Sequence, residues 1–203
     1  MKVTAAQVDA LRELINIGYG RAGAALSEMT QARVTLEAPK LVLLDIAEVE
    51  GELKHLFADG LTCVNQVFSG ALAGNALLLL DGRSASILTN LVTRSEGTSG
   101  PQPDVTETLV EVGNIVLSAC LGVFGHLLRF QVGFTVPELT AGSVASLLRS
   151  FTINSETLSS ALLVHTRFTI RASNVKGYLS ILLGVASTER LLEAVDEWSR
   201  NEA

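Results

Sequence analysis

The sequence predicts an α/β fold: a single pseudo-two-fold-symmetric domain from an internal duplication, with a mostly antiparallel sheet and two exposed motif helices. Three observations carry this expectation. The chain matches itself at a shift of 98 residues. Each half runs through the same order of helical and strand-like periodicities. Each half also contains two strand-like runs joined by a turn, the pattern of an antiparallel hairpin.

An internal repeat at this period marks a fold built from two copies of one unit. At that shift Leu11, Glu13, Asn16, Ile17, Val34, Pro39 and Leu41 fall on Leu109, Glu111, Asn114, Ile115, Val132, Pro137 and Leu139. Both copies read Glu-x-x-Asn-Ile, with a proline 23 residues beyond the asparagine. Glu, Asn and Pro are each about one residue in twenty, so such a triple coincides about once in ten thousand trials. The duplication is taken as real. It divides the 203 residues into halves 1–94 and 104–203, joined by a linker at 95–103 whose Gly, Ser and Pro content forms no element.

Each element follows from its pattern. Residues 5–29 and 105–129 alternate apolar and polar at helical spacing. Thr4 with Gln7 offers a capping box to the first helix, and Asp104 with Glu107 offers a similar start to the second. β-rich runs follow at 32–37 and 129–136, and Pro39 and Pro137 are placed to end or bend them. Connections with helical character are expected at 43–56 and 141–150. Hairpins come next, 62–68 with 75–80 and 161–170 with 178–183, the second turn containing Asn174 and Gly177. Helices near 84–94 and 187–200 close the halves, and the high apolar content predicts that the halves share one sheet.

Composition excludes several classes. With 48% apolar and 18% charged residues the chain is no disordered segment. Mean hydropathy is +0.39, yet the longest apolar run, residues 76–80, stops at Asp81. A spanning helix needs about 20 residues, so no membrane insertion is expected. The first residues lack the apolar centre of a signal peptide, and a cytoplasmic location is expected. The net charge of −6 and the scattered Lys and Arg argue against nucleic acid. Cys63 and Cys120 lie 57 residues apart in apolar surroundings and read as buried thiols; His55, His126 and His165 are isolated. No bound metal or other cofactor is assigned to the chain.

On the first helix Val8, Leu11, Ile15, Gly18, Ala22, Leu26 and Met29 form an apolar stripe. Asp9, Glu13 and Asn16 lie within about 60° of one another, nearly opposite it. On the second helix Leu109, Gly113, Val116, Cys120, Phe124 and Leu127 form the stripe, and Glu107, Glu111 and Asn114 face outward. Gly18, Gly20 and Gly23 each cost about 1 kcal/mol in a helix, so something must approach that backbone closely, a packed neighbour before a docked partner. Asn is a mediocre helix former. Finding it mid-helix, outward, twice in one register, is what ordinary solvated surface does not explain. A positioned carboxamide can accept from a water and donate to a phosphoryl oxygen, and phosphoryl transfer depends mostly on positioning and charge stabilisation. With no phosphate-cradling loop in the chain, the group that neutralises the developing charge must come with the substrate.

The segments Asp9-x₃-Glu13-x₂-Asn16-x₂₂-Pro39 and Glu107-x₃-Glu111-x₂-Asn114-x₂₂-Pro137, with the run from Asn16 to Met29, resemble the signature of the CheC/CheX/FliY phosphatases. Two motif copies in 203 residues resemble the CheC type best. The resemblance implies hydrolysis of the aspartyl phosphate on the response regulator CheY, a hydrolase activity in chemotaxis. It implies that Asn16 and Asn114 position the attacking water and that Glu13 and Glu111 contact a lysine of the regulator. The regulator would bring its own Mg²⁺. Asp9 is open between a solvated charge and a partner contact; Glu107 is a second candidate contact, but its capping position already accounts for it, and the family usually has Asp or Ser there, which leaves its role open. The receptor deamidase CheD is implied as a second partner, and the free protein is expected to be a monomer. A non-catalytic adaptor for CheD or phosphorylated CheY is the alternative that these residues leave open.

Overall fold

A computed structural model describes residues 3–57, 60–95, 104–150, 160–171 and 173–202. Helix α1 (Ala5–Thr30) starts where the capping pattern places it. The Thr4 hydroxyl accepts the Gln7 amide at 3.2 Å, and the Thr4 amide donates to Gln7 Oε1 at 3.0 Å. Its counterpart α4 (Val105–Leu127) is capped by Asp104, whose Oδ1 accepts the Thr106 and Glu107 amides at 2.8 and 3.3 Å. Both helices end on a left-handed turn at non-glycine residues, Gln31 (φ 49°) and Arg129 (φ 57°). These stand at equivalent positions of the repeat.

The other elements also come in pairs. Short strands β1 (Val34–Leu36) and β5 (Val132–Phe134) follow the long helices. Then come β2 (Lys40–Asp45) with α2 (Ile46–Leu56), and β6 (Glu138–Gly142) with α5 (Val144–Ser150). The hairpins are β3 (Leu61–Gly70) with β4 (Gly74–Leu80), and β7 (Ser160–Ile170) with β8 (Val175–Gly184). Helices α3 (Gly82–Ser95) and α6 (Val185–Glu202) close the halves.

The eight strands among the described residues form one antiparallel sheet ordered β1-β7-β8-β4-β3-β5, with β2 also on β7 and β6 also on β3. The order reads the same from either end under exchange of the halves. Each half sends its short strands across to the other half's hairpin: Leu41 pairs with Val164, as Leu139 pairs with Val64. The sheet curls between two helical layers, so its strands are apolar on both faces. Leu78 and Leu80 point to the larger core with α1, α3, α4 and α6; Leu77 and Leu79 point to a smaller one with α2 and α5. Each such leucine contributes about 1.5–3 kcal/mol on burial. In both hairpins a phenylalanine lies on a cross-strand glycine. A Cβ on Gly74 would sit 2.9 Å from Phe68 Cζ, and one on Gly177 would sit 2.5 Å from Phe168 Cζ.

Four expectations need correction. The connections after Pro39 and Pro137 begin with strands, β2 and β6, before their helices. In β2 the apolar residues Leu41–Leu44 run on without alternating and β6 is only five residues long, and pairing with the other half makes both strands. Gly177 lies within β8, not in the turn, because the Phe168 ring needs the space above it. The buried stripes of the motif helices are wider than one face, taking in Leu14, Tyr19, Val112, Leu117 and Leu121, since each helix packs on the sheet and on its twin. Finally, counting unbroken apolar runs passes over α4, which is long and apolar enough to cross a membrane; its buried side lies on the sheet and α1. Apart from Ser95, the expected linker 95–103 lies outside the described residues.

Candidate functional site

Helices α1 and α4 lie side by side on one face of the sheet. Glu13 and Asn16 are exposed on α1, and Glu111 is exposed on α4. Asn114 is half-buried, so the second carboxamide is less open than the wheel implies. Asp9 is exposed and pairs with Arg12 at 3.8 Å, a surface ion pair of little energetic weight. Glu107 is exposed, and among the described residues its carboxylate makes no return bond to Asp104. Each asparagine is followed by an exposed isoleucine, Ile17 at 40% and Ile115 at 38%, so both motifs combine a carboxylate, a carboxamide and an apolar contact.

Glycine decides how each helix sits. A Cβ on Gly18 would come 3.2 Å from the Cys120 carbonyl oxygen, so Gly18 sets the approach of α1 to α4. Gly23 lies under Leu36, while Gly20 has no heavy atom within 4 Å of the added Cβ. Packing therefore accounts for two of the three glycines, as expected. On α4 the close approach is to the sheet. A Cβ on Gly113 would fall 2.4 Å from Val64 Cγ1 on β3. The equivalent residue of α1 is the buried Ile15, and the neighbouring Tyr19 reaches the sheet through its hydroxyl, which donates to the Val164 carbonyl at 3.0 Å.

The descent of α4 onto β3 brings Asn114 to a side chain that sequence reasoning missed. Gln66, buried on β3, has three acceptors within reach of its Nε2: Asn114 Oδ1 at 3.2 Å, the Thr135 carbonyl at 3.3 Å and Ser118 Oγ at 3.4 Å. Beneath the first motif the equivalent of Gln66 is Thr166, on the other half's strand β7, whose hydroxyl donates to the Glu37 carbonyl at 2.6 Å. Glu37 is the equivalent of Thr135, so both halves satisfy the same backbone oxygen. Only the longer glutamine reaches on to the asparagine. Among the described residues no hydrogen bond is made to the Asn16 side chain. The polar pair Asn65 and Gln66, set between the apolar pairs Cys63–Val64 and Val67–Phe68, was the one signal in the sequence.

Between α1 and α4 lies a groove of about 540 Å³, with Ile17, Arg21 and Glu28 on one wall and Ser118 and His126 on the other. Cys63 and Cys120 are free and buried, and burial pushes both thiols far up, so neither is a nucleophile. Among the described residues no group of His, Cys, Asp and Glu is arranged to hold a metal ion. The two motifs can thus position a water and a phosphoryl oxygen, and can bind a cationic side chain.

No family model matches the chain. Solved structures do. The chain is similar to FliY of Thermotoga maritima at a TM-score of 0.77 and 15% identity, covering 98% of this chain and 100% of that one. FliM in the FliM–SpeE complex of H. pylori matches at 0.69 and 14%, over 98% of each chain. CheX in the CheX–CheY–BeF3–Mg²⁺ complex of Borrelia burgdorferi matches at 0.53 and 17%, over 85% of this chain and 97% of that one. The chain has the fold that these proteins share.

Proposed function

We propose that this chain is a phosphatase acting on the aspartyl phosphate of CheY, with one site on each motif helix. The observation that carries the reading is the duplicated Glu-x-x-Asn, displayed on α1 and α4 of a fold found also in CheX and FliY. The similar CheX was solved with CheY, BeF3 and Mg²⁺; BeF3⁻ has the shape and charge of a phosphoryl group. Asn16 and Asn114 orient the attacking water and hold a phosphoryl oxygen. Glu13 and Glu111 dock a lysine of the regulator, and Asp9 and Glu107 lie at the edge of the same contact. Mg²⁺ belongs to the substrate protein. In this reading the chain works in the cytoplasm, is a monomer when free, and has CheD as a second partner.

An adaptor that binds phosphorylated CheY or CheD without hydrolysis is the second reading. It is favoured by the likeness to FliM, which was solved in complexes with SpeE and with FliG. A time course of phosphorylated CheY with catalytic amounts of the protein separates the two. Acceleration is expected for the native chain and none for the double variant Asn16→Ala/Asn114→Ala, with binding retained through the glutamates. Native protein that binds phosphorylated CheY and leaves its decay unchanged establishes the adaptor. A double variant that accelerates like the native chain removes these helices from the chemistry.

A further inference from the structure

We infer that Gln66 is a positioning residue for the second site, holding the Asn114 carboxamide in one orientation, and that the two sites therefore differ in rate. The inference rests on the phosphatase reading and deepens it.

One group in this cluster has a fixed polarity. The Thr135 backbone carbonyl can only accept, so it draws the Nε2 side of Gln66 toward it. Nε2 carries two hydrogens and has three acceptors within reach: the Thr135 carbonyl, Ser118 Oγ and Asn114 Oδ1. With Nε2 facing Asn114, the asparagine must present its oxygen inward. Ser118 closes the cluster, its hydroxyl also lying 3.5 Å from Gln66 Oε1 as a donor. Orientation thus passes from a backbone carbonyl through a buried amide to a half-exposed one.

Two consequences follow for the site. The Asn114 NH₂ is turned away from the Gln66 amide, toward where a phosphoryl oxygen would be held, while one lone pair of Oδ1 remains for the water. Donation to an amide oxygen also polarises that amide and strengthens its N–H groups as donors. Asn16 has neither aid, because Thr166 ends at the Glu37 carbonyl and Gly20 stands where Ser118 would be. A free carboxamide must be ordered between the docked state and the transition state, and a held one is ordered beforehand.

The test isolates each site in the full chain. Gln66→Thr installs the residue that the fold already accepts at position 166; it can satisfy the Thr135 carbonyl and is too short for Asn114. In an Asn16→Ala background, which leaves only the second site, Gln66→Thr is expected to lower kcat roughly three- to tenfold, the range of one hydrogen bond, with KM unchanged. In an Asn114→Ala background the same change should leave the first site's rate as it was, which also reports an intact fold. Gln66→Met serves as a second variant, with the same expectation. An unchanged kcat at the second site for both variants overturns the role of Gln66 and leaves the phosphatase reading standing. Acceleration surviving in Asn16→Ala/Asn114→Ala overturns that reading instead.

Discussion

Helices α1 and α4 carry the same Glu-x-x-Asn-Ile segment, but they rest on the sheet in different ways. At the position before the second asparagine stands Gly113, and the helix backbone drops onto Val64. Two residues before the first asparagine, α1 carries the large Leu14 and then Ile15, both buried, and Tyr19 spans to the sheet one turn later. The result is one asparagine held from beneath by Gln66 and another open to solvent. A duplicated motif is therefore not a duplicated site. The seat of the helix on the sheet and the length of the strand residue beneath it, both set outside the motif, decide whether the sheet can reach the side chain.

The largest test of this comparison is Gly113→Ala. Its Cβ would meet the branched Val64 at 2.4 Å, and overpacking of this kind costs about 1–3 kcal/mol. Lifting α4 should also separate Asn114 from Gln66 and slow the second site, measured by denaturant unfolding and by phosphate release in an Asn16→Ala background. Gly20→Ala on α1 is the contrast. Nothing lies within 4 Å of the added methyl, so it should stabilise by up to about 1 kcal/mol. Equal shifts in midpoint for the two variants would mean that the helices sit alike.

A smaller effect should come from building the second site's support into the first. Thr166→Gln with Gly20→Ser gives the Glu37 carbonyl the partner that Thr135 has, and adds the counterpart of Ser118. In an Asn114→Ala background the first site should gain, roughly severalfold for one hydrogen bond. A folded variant with no gain would place the difference in the helix position and not in the glutamine.

The smallest effect concerns the opposite face of the same strands. Asn65 on β3 accepts from Asn75 Nδ2 at 3.0 Å; its equivalent on β7 is His165, whose Nε2 is buried without a hydrogen bond, 3.6 Å from Glu52 Oε1. Burial, then Lys40, lowers the His165 pKa below its ordinary value, although Glu52 pulls it up; His55 and Tyr178 also face this cluster. Because the unfolded chain binds the proton more readily, stability is complete above about pH 6.5 and declines as pH falls through that value. Glu52, held low chiefly by the Lys40 ammonium, loses its contribution only further down, below its usual 4.5. His165→Asn should flatten the upper part of the profile in urea melts at several pH values. An unaltered slope would show that the histidine does not titrate on folding.

The sequence alone determined the repeat, the capped starts of α1 and α4, the hairpins and the outward faces of Glu13, Asn16 and Glu111, because each is written in local spacing. Thr4 and Gln7 are three residues apart and meet by helix geometry alone. What only the tertiary structure decided depends on contacts between residues distant in the chain. The strands β2 and β6 exist because the other half pairs with them, and Gly177 lies in a strand because Phe168 covers it. Gln66 stands 48 residues from Asn114, and nothing local distinguishes it from any polar residue in a strand. Periodicity says which side of a helix is apolar. It does not say how closely that side approaches the sheet or which strand residue lies beneath it, and here the Gly113–Val64 contact and the reach of Gln66 distinguish Asn114 from Asn16.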